Sequence, residues 1–98
     1  MSATEYAFSR DMGCTAAEFA AWLRAVLDHP HAHQHDGAAH TPVGAGTLGL
    51  RWVQQPDRHI ASIRLPVLRV AFAFEGVSPD DQAAFMARFD LYMQRGGG

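Results

Sequence analysis

A chain of 98 residues and 10.7 kDa has room for one domain and no remainder for a second. With 48% hydrophobic and 18% charged residues the composition is globular, which excludes a disordered or fibrous chain. A net charge of −2 argues against nucleic acid as a partner, because bulk polyanion binding shows as a basic excess, and no apolar run approaches the ~20 residues of a membrane span.

Thr4 to Arg10 alternates, with Tyr6, Phe8 and Arg10 on one side and Glu5, Ala7 and Ser9 on the other, the period of a half-buried strand. Met12-Gly13-Cys14 then turns the chain. Thr15 and Glu18 have the spacing of a capping box, with Cys14 placed to staple onto Phe19, so a helix starts here. Phe19, Trp22, Leu23 and Val26 repeat at helical spacing and form its buried stripe. Pro30 disfavours helical geometry at His29, so the helix ends near Asp28.

From His29 to Gly46 there is no apolar period, and the segment reads as a long His-rich loop. Three strands are expected after it, at Thr47–Gln54, Arg58–Leu65 and Val67–Glu75, the first two joined by a turn at Gln55-Pro56-Asp57. Leu65-Pro66 reads equally as a tight hairpin or as a break in one long strand. Ser78, Pro79, Asp80 and Asp81 are a helix start: a hydroxyl cap, proline at the first position and carboxylates at the positive end of the dipole. Phe85, Phe89, Tyr92 and Met93 form the stripe of this helix, which Arg95 and Gly96-Gly97-Gly98 close. The expected fold is a single α+β domain over residues 1–98 in β-α-β-β-β-α order, an antiparallel sheet with two helices packed on one face.

Alternation sorts the strands into two faces. Leu48, Leu50, Trp52, Ala61, Ile63, Leu65, Leu68, Val70, Phe72 and Phe74 are assigned to the covered side. Arg51, Arg64 and Arg69 are assigned to the open side, where three guanidinium groups could bind a carboxylate or phosphate. The plainer account is that an open sheet face needs polar residues, and every Lys or Arg position here is arginine. Small and β-branched residues on that face suit a homodimer or a protein partner.

His29, His31, His33, His35 and His40 are the candidate metal ligands, since alternate histidines in an extended chain present imidazoles on one side to Zn, Ni or Cu. Against this, alternate histidines on a loop resemble an indiscriminate chelating tag or a solvated loop. The six histidines also give a pH-responsive reading, because their unperturbed pKa near ~6.5 would reverse the net charge on mild acidification. Gly44, Gly46 and Gly49 spell a dinucleotide-binding glycine pattern, but the motif enters a strand where it should open a helix. Cys14 suits packing better than nucleophilic catalysis, and no catalytic constellation is legible. With one cysteine and an amino end lacking the apolar run of an export signal, the expected setting is the cytoplasm. The leading expectation is a non-enzymatic accessory or binding module acting through the open sheet face. Metal handling by the histidines and anion binding by the sheet arginines are the alternatives.

Overall fold

A computed structural model describes residues 7–95. The fold is α+β: a five-stranded antiparallel sheet and two helices, in the chain order β1 (Phe8–Met12), α1 (Ala16–Val26), β2 (His33–His35), β3 (Ala38–Val43), β4 (Gly46–Ile60), β5 (Ile63–Glu75) and α2 (Pro79–Arg95). The spatial order is β1-β5-β4-β3-β2, so the strand before α1 closes one edge against the last strand. The amino-terminal part of the expected Thr4–Arg10 strand, with Tyr6, and the terminal glycines lie outside the described residues. No helix among the described residues is long and apolar enough to cross a membrane.

Both helices begin as their sequences dictate. The Thr15 hydroxyl accepts from the Glu18 amide at 3.2 Å while the Glu18 carboxylate accepts from the Thr15 amide at 2.9 Å, completing the capping box. Ser78 accepts from the Asp81 amide at 3.2 Å at the start of α2. Phe19, Leu23 and Val26 from α1 and Phe89 and Met93 from α2 meet Leu48, Leu50, Trp52, Leu68, Val70 and Phe72 of the sheet in one buried cluster, which also takes in Cys14. Tyr92, expected in the α2 stripe, is exposed instead, with the Arg88 guanidinium 5.6 Å from its ring centre.

β1 keeps its expected alternation. Phe8 stacks on Phe72 with centroids 4.8 Å apart, and Arg10 pairs with Asp90 of α2, so both face the helices. Two glutamines, absent from the sequence reading, tie α1 down. Gln54 accepts from the Ala16 amide at 2.8 Å and donates to Val67 O at 2.9 Å, and Gln34 donates to Ala20 O at 2.8 Å.

The segment read as a His-rich loop over 29–46 is largely a hairpin. β2 and β3 are joined at Asp36-Gly37, with Gly37 at φ +74°, and β3 pairs with β4 from Ala38↔Arg51 to Val43↔Gly46. Tertiary pairing supplies what the missing apolar alternation does not. Nor do three strands follow it. Gln55-Pro56-Asp57 is a bulge inside β4, and Pro66 lies inside a continuous β5. Both prolines are tolerated because neither flank is paired there: β3 reaches β4 only to Arg51, and β1 reaches β5 only from Leu68. The true reversal is Ala61-Ser62. Ala61 sits at φ +55°, the left-handed region that a type II′ turn reserves for glycine. Ala61→Gly is therefore expected to stabilise the protein by about 1 kcal/mol in urea unfolding, by removing the steric cost of a Cβ at positive φ.

Candidate interaction face

Cross-strand pairs in an antiparallel sheet share a face, so the register decides which side chains gather. Opposite the helices, β5 presents Ile63, Leu65, Val67, Arg69, Ala71 and Ala73, the alternates of the buried Leu68, Val70 and Phe72. Across from them on β4 stand Ile60, Arg58, Gln55, Val53, Arg51 and Gly49. Ile63 and Leu65 are thus on the open face, not the covered one. The assumed break near Pro66 shifted their assignment by one residue, which exchanges the two faces.

The far half of the β4–β5 hairpin, residues 53–67, extends past the other strands, in keeping with a longest dimension of 47 Å. Its open face carries most of the exposed large aliphatic side chains of the described residues: Val53 at 57%, Ile60 at 54%, Ile63 at 57% and Leu65 at 41%. Ile60 stands directly across from Ile63. A two-stranded ribbon is marginal in water by itself, and this one carries a bare apolar face.

The three arginines do not assemble. Arg64 pairs with His59 and falls with the alternates on the helix side of the hairpin, opposite Arg51 and Arg69. Arg69 is engaged across strands by Asp11, its Nε donating to Oδ1 at 2.9 Å and Nη2 to Oδ2 at 3.2 Å. Hydrogen bonding by Arg69 is the main reason the Asp11 carboxyl titrates below its ordinary range; desolvation opposes it, and the charges of Arg69 and then Arg58 add smaller downward pulls. A depressed folded pKa means that this pair contributes above the unfolded aspartate pKa and loses its contribution as pH falls through the folded value. In a carboxyl NMR titration, Arg69→Gln should move the Asp11 midpoint upward; an unmoved midpoint would exclude Arg69 as the cause.

The histidines are divided too. His31 donates its backbone amide to His29 Nδ1 at 3.0 Å in the turn after α1, and His29 borders a cleft with Asp28 and Arg88 on the helix side. His33 and His40 are directly paired on the open face, with His35 one row away across from Ala38. The His40 ring lies over Gly49, its Cε1 and Nδ1 each 3.7 Å from where a Cβ would stand. Among the described residues no group of three or more His, Cys, Asp or Glu side chains is arranged to hold a metal ion. Cys14 is fully buried, and its thiol is pushed up, first by desolvation and then by the charge of Glu18, which disfavours the nucleophilic thiolate.

The glycine pattern has steric roles. Gly44 turns the chain at φ +57° and Gly46 lies against the Glu75-Gly76 backbone, whereas a Cβ at Gly49 would stand in ordinary contact with the His40 ring. The motif leads into β4 and no helix follows it, so the pyrophosphate-binding context is absent. No protein-family model, curated protein or solved structure matches this chain.

Proposed function

We propose that this domain is a small non-enzymatic binding module that works through its open sheet face, either by self-association or by docking on a protein partner. The observation that carries this reading is the bare aliphatic face of the projecting hairpin, where Val53, Ile60, Ile63 and Leu65 stand on one side. Arginine stems beside them favour a protein surface over a lipid or nucleic acid one, since the Arg69 charge is already answered by Asp11. A cytoplasmic setting belongs to the same reading, because a buried free thiol at Cys14 needs no oxidising compartment.

The test is a photo-crosslinking amino acid placed at Ile63 and, as a control, at the exposed Arg24 of α1, followed by irradiation in cells. The expected result is a discrete protein adduct from position 63, whether to the same chain or another, and none from position 24. If position 63 gives no more adduct than position 24, the reading is wrong.

A further inference from the structure

Resting on that reading, we infer that the partner is a second copy of this chain, packed face to face about a twofold axis that runs along the strands, so that β4 of one subunit lies over β5 of the other. Three features of the open face converge on this occupant and this orientation.

The first is area. Strands spaced by about 4.8 Å, with a rise of about 3.3 Å per residue, give the five-stranded part and the two-stranded extension together roughly 670 Å² of projected surface. That is the scale of one side of a stable interface. The extension alone offers only about 230 Å² on the same reckoning, too little to hold a partner, so whatever covers the aliphatic side chains must lie on the sheet as well.

The second is self-complementarity, which an interface across a twofold axis requires because one patch meets itself. With the axis along the strands, each row of the face meets the same row of its copy. Ile60 then opposes Ile63 of the partner subunit, and Arg58 lays its aliphatic stem on Leu65 of the partner subunit. Arg51 opposes Ala71 of the partner subunit, a long side chain against a short one. Reversing the strands about an axis across them would instead set Ile60 and Ile63 on the far rows, against Thr47 and Glu75 of the partner subunit, so that the aliphatic tips meet polar groups and not each other. The chemistry of the rows selects the first arrangement.

The third is permanence. Residues 53–67 have no neighbouring strand on either edge, and a ribbon of two strands is not stable alone. A second copy is present whenever the chain is, so it covers the hairpin for as long as the hairpin is folded. The helices remain on the two outer faces, giving four layers.

Sedimentation equilibrium of the wild-type protein at micromolar concentration should report twice the chain mass of 10.7 kDa. Sheets packed face to face lie about 10 Å apart, beyond the reach of a disulfide, so Ile63→Cys should cross-link to its own copy through a bismaleimide of about that span, since the tips lie together, whereas a mixed sample of Ile63→Cys and Thr47→Cys, which lie at opposite ends of the face, should give no adduct joining the two. Cys14 is buried and does not compete. The double variant Ile60→Asp/Ile63→Asp should sediment as a monomer; both positions are more than half exposed in the subunit, so the fold tolerates the change, and circular dichroism verifies it. If the double variant does not fold, the Ile63→Cys result decides alone. A wild-type monomer would overturn the inference, and so would a dimer in which Ile63→Cys links only to Thr47→Cys. A monomer that still yields an adduct to a different protein at position 63 would leave the binding-module reading standing while removing this one; a monomer with no adduct removes both.

Discussion

Phe72→Ala is expected to cost about 3–5 kcal/mol, a large part of the roughly 5–15 kcal/mol that holds a domain of this size folded. Phe72 is fully buried where three elements meet. Its ring stacks on Phe8 of β1 with centroids 4.8 Å apart and meets Phe89 of α2 edge-on at 5.2 Å. Removing it takes away burial and opens a void that neither the strands, fixed by their pairing, nor α2 can fill without breaking other contacts. It also leaves β1 short of its main anchor, since this five-residue edge strand otherwise depends on its ladder and on the Arg10–Asp90 and Asp11–Arg69 pairs. Urea unfolding would show a midpoint moved far toward zero, with near-native circular dichroism only at low denaturant. Phe8→Ala, which removes a ring that is 37% exposed, should cost clearly less. If the two variants were equally stable, the core would not be centred on Phe72.

The parts of the fold legible in the sequence are those whose instructions are local. Thr15 and Glu18, three residues apart in the chain, specify a helix start without reference to anything distant, and Ser78-Pro79 does the same for α2. The alternation of Leu48, Leu50 and Trp52, or of Leu68, Val70 and Phe72, likewise places a covered face before any packing is known. The β2–β3 hairpin is different. Its Asp36-Gly37 turn is a recognised hairpin signal, but the flanking residues are His, Gln and Ala, so the strands exist because β4 offers a ladder to pair with. Sequence reading of residues 29–46 as a loop followed from that dependence.

The candidate interaction face is half legible for a related reason. An open side with Arg51 and Arg69 follows from alternation, yet the side on which Ile63, Leu65 and Arg64 stand depends on whether Pro66 breaks the strand or lies inside it. Proline is a turn signal only where the backbone amide it removes would be wanted, and here β3 and β1 both stop short of it. The aliphatic cluster is therefore a product of strand length. Because β4 and β5 outrun their neighbours, the open face continues past β1 and β3, and Ile60, Ile63 and Leu65 stand on that extension on the side away from both helices.

Gly46→Ala is expected to destabilise the protein by about 2 kcal/mol or more, although it adds a single methyl group. Gly46 opens β4 at the point where the chain passes closest to the end of β5. An added Cβ would stand 2.5 Å from the carbonyl oxygen of Gly76 and nearer still to that of Glu75, and both are backbone atoms. No rotamer change can clear them. The strand ends must separate, and that loosens the adjoining Thr47↔Glu75 pair and the Val43↔Gly46 pair that hold β3 and β5 to β4. Gly44→Ala provides one comparison. The atoms nearest its Cβ all belong to the Asp81 side chain, which can swing away, leaving the cost of a left-handed residue at φ +57°, about 1 kcal/mol. Gly13→Ala provides the other, since nothing lies within 4 Å of its added Cβ, and it should be near neutral. The order of destabilisation in thermal or urea unfolding should then be Gly46, Gly44, Gly13. A phosphate-binding role for this glycine pattern makes a contrary prediction, in which the unliganded protein tolerates Gly46→Ala and only nucleotide-induced stabilisation is lost. Equal stability of wild type and Gly46→Ala without ligand would therefore count against the steric account and restore the one reading of the motif that its position before a strand rejects.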